Sequence, residues 1–202
     1  MANYLSLELS SNCCTVAIHT EGAYQQLDFS DQRGRGVVCA VEKILCDNHL
    51  EAKNLDAIYV GIGPGSYTGL RIACSAAVML AYSLGIKCYG INSFEAMAWQ
   101  RAKLQPLTIL LDAYRKQYYH AAYSIEQQKL VCIQQPHIIE QQEWDESQPS
   151  SAPDTTAIGI LRFVIEYIDK HSDIASNHLF NAEPLYLRPP AFRQQKKTRL
   201  NK

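Results

Sequence analysis

A chain of 202 residues with 47% hydrophobic and 19% charged residues can bury one sizeable core or two small ones, which excludes a disordered protein. The net charge of −1 conceals an asymmetry. Six basic residues and no acidic ones lie between Arg188 and Lys202, so the remainder carries 13 basic against 20 acidic side chains, or −7. Seven scattered cysteines without a C-x-x-C pair, and no leader pattern at the start, point to reduced thiols in the cytoplasm. No apolar run reaches the roughly 20 residues that cross a bilayer, so no membrane partner is expected.

In chain order, Leu5, Leu7 and Leu9 alternate with polar residues as a strand does, and Cys14, Val16 and Ile18 repeat the pattern. A turn at Glu21-Gly22 leads to a third strand ending near Phe29. A helix over about 37–49 follows, then a strand over 57–62, a helix over 68–84, a strand over 86–91 and a helix over 93–103. The order β-β-β-α-β-α-β is that of a ribonuclease H-like sheet. The pattern restarts with strands over 107–112, 117–124 and 130–133. Residues 134–153 read as a polar loop, and Asp154 or Thr155 as the cap of a helix carrying Ile158, Leu161, Ile165 and Ile168. The expectation is an α/β protein with a duplicated ribonuclease H-like fold of the actin, hexokinase and Hsp70 type. A complete N-terminal lobe (1–104) would precede an abbreviated C-terminal lobe (105–188) and a basic tail (189–202).

The most specific segment is 61–73, Gly-Ile-Gly-Pro-Gly-Ser-Tyr-Thr-Gly-Leu-Arg-Ile-Ala, running from an apolar strand into a helix. Gly63 and Gly65 flank Pro64 and break the strand, and Ser66 or Thr68 can cap the helix. With Gly69 and Arg71, these residues form a candidate anion, nucleotide or interface loop, since backbone amides at a helix start attract anions. The loop lacks the Gly-Lys-Ser/Thr of a Walker loop and the third glycine of the Rossmann fingerprint. A tight structural turn is the other reading. For Arg71, in the first turn of the helix, an ion pair with a carboxylate is expected.

Other chemistry is sparse. In the duplicated fold, acids at the ends of the first strands handle metal and water; here they would be Glu8 and Asp112. The turns after them, Ser10-Ser11-Asn12 and Ala113-Tyr114-Arg115-Lys116, contain no glycine, leaving little room for a phosphate. No His pair stands at i, i+4, so no metal ligand face is expected. No Gly-x-Ser-x-Gly elbow supports a serine hydrolase. The basic tail is either a solvated end or a nucleic-acid contact.

Residues 72–84 contain no charge. A helix apolar all round needs cover on both sides. One side can lie on the sheet, and the other is covered either by the chain's own third helix or by a partner. The partner is the preferred reading, with Cys74, Ala77, Val78 and Ala81 on this helix and Val41, Ile44 and Leu45 on the preceding one at the interface.

Three segments together resemble the TsaB (YeaZ) family: Gly61-x-Gly63-Pro64-Gly65-Ser66-Tyr67-Thr68-Gly69-Leu70-Arg71-Ile72, Leu111-Asp112-Ala113, and Pro184-x-Tyr186-Leu187-Arg188. The resemblance spans nearly the whole chain. It departs from the family at Glu8-Leu9-Ser10, where Asp-Thr-Ser/Ala is usual, at Arg33-Gly34-Arg35-Gly36, and at Ala73 in place of glycine. The second lobe also reads as shortened between Trp144 and Thr155. The resemblance implies a non-catalytic homologue of TsaD that binds and activates TsaD as a heterodimer, and forms a homodimer when TsaD is absent. With TsaE, that assembly transfers threonylcarbamoyl to the adenosine next to the tRNA anticodon. ATP and Mg²⁺ are used by the assembled complex, and no cofactor is implied on this subunit alone. The alternative is a small ATP-dependent phosphotransferase or a glycoprotease-like enzyme of the same fold.

Overall fold

The computed structural model describes residues 2–11, 13–30, 34–101, 107–145, 156–170 and 181–188. Alternating leucines place β1 (Tyr4–Glu8) at the centre of the first sheet, with Leu5 and Leu7 fully buried on one face. β2 (Cys14–Thr20) and β3 (Ala23–Phe29) continue antiparallel from one side of β1. β4 (Ala57–Gly63) and β5 (Lys87–Asn92) continue parallel from the other, giving the order β3-β2-β1-β4-β5. β4 is buried at every position, as a strand covered on both faces must be.

α1 (Gly34–Asp47) and α2 (Tyr67–Leu84) cover the leucine face. The Ser66 side chain accepts from the Gly69 amide at 3.2 Å and caps α2. Gly85 ends it at φ 68°, a left-handed conformation suited to glycine. By length and composition alone, α2 passes as an 18-residue membrane-crossing helix. Its stripe Leu70, Ala73, Cys74, Ala77 and Ala81 is nevertheless buried against the sheet.

The opposite face carries α3 (Ser93–Gln100), capped by Asn92, and α4 (Ala157–Arg162), capped by Thr156. α4 runs on into a wider helical turn over Phe163–Ile168. α4 belongs in sequence to the second half yet sits on the first sheet. The Ser6 hydroxyl donates to the Ala157 carbonyl at 2.7 Å, and the Ala157 amide donates to Thr15 Oγ1 at 2.8 Å. β6 (Leu107–Asp112), β7 (Gln117–Glu126) and β8 (Lys129–Glu140) form an antiparallel second sheet. Leu107, Ile109, Ala121 and Tyr123 share one hydrophobic core with α3, α4 and the first sheet's Tyr59 and Ile91.

Two expected boundaries change. The helix expected to reach 103 ends at Gln100. The polar stretch from Gln134 is strand as far as Glu140, because it pairs with β7 across a register shift near Ala122 that breaks the alternation. The Asp154 and Thr155 caps and the basic tail lie outside the described residues.

Candidate functional site

The glycines of the 61–73 loop are explained by backbone approaching backbone. A Cβ on Gly69 would lie 1.9 Å from the Leu9 carbonyl oxygen, and one on Gly65 would lie 2.2 Å from that of Ser10. Gly63 sits at φ 96°, where side chains are disfavoured. The loop therefore rests directly on the chain leaving β1. The Ser66 amide donates to the Ser10 carbonyl at 2.6 Å, the Gly63 amide to Ser93 Oγ at 3.2 Å, and the Gly69 amide to Ser66 Oγ. Of the residues expected in an anion cradle, Gly63, Ser66 and Gly69 thus have amides committed inside the chain. Gly65 is a packing seat, and the Thr68 side chain is exposed.

Beneath the loop lies Glu8, with no exposed surface. Its Oε1 accepts from the Ser10 amide at 2.6 Å, and its Oε2 from the Ser93 hydroxyl at 2.7 Å. Gly61 leaves room for this carboxylate, since a Cβ there would lie 2.0 Å from Oε2. Burial pushes the Glu8 pKa up, opposed by the hydrogen bonds from Ser10 and Ser93. A sealed carboxylate of this kind organises a loop and does not reach metal or water. Asp112, expected as its counterpart, is exposed and accepts from the Tyr114 amide at 2.7 Å.

Arg71 does not make the expected ion pair with a carboxylate. Its Nε donates to the Tyr186 hydroxyl at 2.9 Å, and its guanidinium lies 4.3 Å from the Tyr67 ring centroid and 5.9 Å from that of Tyr186. The two rings are 4.7 Å apart. A weakly hydrated guanidinium over aromatic faces takes the place of the carboxylate. The contact joins the glycine-loop segment to the Pro-x-Tyr-Leu-Arg segment near the end of the chain. Backbone bonding supports it, with the Leu185 amide donating to the Ile62 carbonyl at 2.8 Å. Sequence reading missed both tyrosines around Arg71; Tyr67, at i, i+4 on the same helix, left a local signal, and Tyr186 left none.

The expected interface stripe is corrected. Val41, Ile44, Leu45, Cys74, Ala77 and Ala81 are all buried in the core between the two helices and the sheet, because the small-residue side of α2 is the side that fits closely on β-strands. Of the seven, Val78 alone is exposed, at 45%, and it is joined on the outer side by Met79 at 72%, Tyr82 at 88% and Val38 of α1 at 54%. An open groove of about 670 Å³ runs beside them, between α2 and residues 182–186, lined by Arg71, Val78, Met79, Pro184 and Tyr186 among others. Burial pushes the Cys74 thiol up to about 12 and Cys88 to about 11, so both stay protonated at neutral pH. Cys13, Cys39 and Cys46 are exposed, and none of the seven cysteines is in a disulfide. Among the described residues no cluster of three metal-ligating side chains occurs.

The mixed sheet with helices on both faces defines an α/β protein, and its fold has known counterparts. YeaZ from Pseudomonas aeruginosa superposes with a TM-score of 0.75 at 19% identity, over 93% of this chain and all of that one. A protein named tRNA threonylcarbamoyladenosine biosynthesis protein TsaB, from Buchnera aphidicola of Acyrthosiphon pisum, is 30% identical over 125 residues, 59% of this chain and 57% of its own length. The protein of the same name from Bacillus subtilis is 38% identical over 85 residues, 42% of this chain and 37% of its own. The alignments thus span between about a fifth and three fifths of the curated relatives' length. Residues 34–177 match the family described as TsaD: tRNA N6-adenosine threonylcarbamoyltransferase. The chain belongs to that family, in its TsaB (YeaZ) branch.

Proposed function

We propose that this chain is a non-catalytic subunit in the formation of N6-threonylcarbamoyladenosine on tRNA, docking onto a TsaD-type transferase and activating it. The observation that carries this reading is the outer side of α2, where Val78, Met79 and Tyr82 stand exposed on a helix whose last thirteen residues contain no charge. An uncharged, aromatic- and methionine-bearing helix face matches the core of a protein interface, which in a standard complex buries about 1,600 Å² in total. The sealed Glu8 supports a subunit without chemistry of its own. In this reading the second sheet is a shortened copy of the first lobe. TsaE joins the assembly, the same α2 face forms a homodimer when TsaD is absent, and ATP with Mg²⁺ acts in the assembled complex in the cytoplasm.

Co-expression with TsaD should yield a stable heterodimer by size-exclusion chromatography. Met79→Glu and Tyr82→Glu, at exposed positions, should abolish the heterodimer while leaving the thermal melt unchanged. A heterodimer unaffected by both substitutions overturns the docking face. Calorimetry of the isolated chain with ATP and Mg²⁺ separates this reading from a phosphotransferase: turnover supports the enzyme, and no heat supports the subunit.

A further inference from the structure

Along its 18 residues α2 carries a single charge, Arg71. Arg71, Ser75, Val78 and Tyr82 follow one another at i, i+4, i+7 and i+11 and are all exposed, so they form one stripe on the outer side of the helix. The helix's one cation therefore heads the same stripe whose apolar residues make up the docking face.

The guanidinium is held but not neutralised. Of its N–H donors, the one on Nε goes to the Tyr186 hydroxyl, its only hydrogen-bond partner among the described residues. The rings of Tyr67 and Tyr186 flank it. Among the described residues the ion pairs are Lys43–Asp47 and Lys53–Glu51, and neither includes Arg71. Glu183 lines the same groove without closing on it. In water this carries no penalty, since solvent supplies acceptors for the remaining donors. Under a docked partner the hydration is lost, and a guanidinium left without acceptors in a dry contact opposes binding. A partner that covers this stripe must therefore bring an acceptor with it.

We propose that the groove between α2 and residues 182–186 takes an aspartate or glutamate side chain of the partner, its carboxylate pairing with the two terminal nitrogens of Arg71. The inference rests on the α2 docking reading and adds to it the chemistry of the partner's contact. A planar guanidinium matches a carboxylate with two parallel hydrogen bonds. The two rings and the Tyr186 hydroxyl hold it before the partner arrives, so little side-chain freedom is lost on binding. A phosphate-bearing ligand fits less well, because Glu183 stands in the same groove and Val78, Met79 and Pro184 line it with apolar surface. One acid set among apolar side chains on a protein surface suits both the cation and that lining.

The test uses the full chain with TsaD. Isothermal titration calorimetry over a salt series should show Arg71→Met binding about tenfold more weakly at low salt, with a flatter salt dependence. Tyr186→Phe, which loosens the same contact but keeps the cation, should keep the native salt dependence. Arg71→Lys puts a primary amine at that position, and a carbodiimide couples amines to carboxylates in contact with them. In the heterodimer of that variant, mass spectrometry should find position 71 cross-linked to an aspartate or glutamate of TsaD. Failure of the native chain to form a heterodimer overturns the docking reading and this inference together. A heterodimer in which Arg71→Met keeps the native affinity and salt dependence overturns the acidic contact alone and leaves the docking face standing. So does a position 71 that cross-links only to Glu183 or to nothing.

Discussion

The Ser93 hydroxyl donates to Glu8 Oε2 at 2.7 Å, tying the first residue of α3 to the last residue of β1 beneath the glycine loop. The same Ser93 oxygen accepts from the Gly63 amide, so one buried acid organises three segments distant in sequence. Removing its carboxyl in Glu8→Ala leaves the Ser10 amide and the Ser93 hydroxyl without their buried acceptor. This should cost about 2–4 kcal/mol in urea unfolding. Glu8→Gln keeps an oxygen for the Ser10 amide and should cost clearly less. Equal losses in the two variants would show that the retained acceptor oxygen contributes nothing, and refute the hydrogen-bond assignment.

The same group gives a pH dependence whose sign is fixed. Burial, opposed by Ser10 and Ser93, raises the folded pKa above the ordinary 4.5. Between 4.5 and that raised value, the folded chain keeps a proton that the unfolded chain has lost. Glu8 therefore favours the folded state most below the ordinary pKa. Its contribution declines as pH rises through the window and levels off above the folded pKa. Urea midpoints of the native chain and Glu8→Gln, measured side by side across pH 4 to 8, isolate this contribution. The difference between them should change with pH in that direction; a constant difference refutes the assignment.

The loop glycines differ in what limits them. Gly65→Ala and Gly69→Ala drive a methyl into the Ser10 and Leu9 carbonyl oxygens, at 2.2 and 1.9 Å. Backbone cannot yield cheaply there, and each should cost about 3 kcal/mol or more. At Gly22→Ala nothing lies within 4 Å, and the only cost is the left-handed φ of 81°, about 1 kcal/mol. Chemical denaturation of the three variants orders them, and an equal loss at all three would refute the packing explanation.

Much of this fold was legible because β1, β2 and β4 carry unbroken strand patterns, and because Ser66 and Gly85 bracket α2. Other features were hidden for physical reasons. An uncharged α2 gives periodicity no polar side to orient it, so the stripe Cys74, Ala77 and Ala81 could face sheet or partner equally well on sequence grounds. The small side chains turned out to be the sheet side, and bulky Met79 and Tyr82 the open side. Tyr186 stands 115 residues from Arg71, beyond any local signal. Glycines at 65 and 69 look alike whether they receive an anion or the carbonyls of a neighbouring strand; only the tertiary contact with β1 distinguishes the two.

The Arg71 contact predicts how the end of the chain is held. Tyr67 and Tyr186 flank the guanidinium, and the Leu185 amide bonds to Ile62 one residue from Tyr186. Arg71→Met keeps an apolar stem over the rings but removes the charge and the donor to the Tyr186 hydroxyl. Tyr186→Phe removes only the acceptor. Hydrogen exchange should show the Leu185 amide losing protection in both variants, more in Arg71→Met, while the amides of β4 stay protected. Because the same side chains line the groove beside Val78 and Met79, Arg71→Met should also weaken the proposed TsaD heterodimer, without the complete loss expected of Met79→Glu. Unchanged Leu185 protection in Arg71→Met would mean that the backbone bond alone fastens the segment and that the cation over two tyrosines contributes nothing to it.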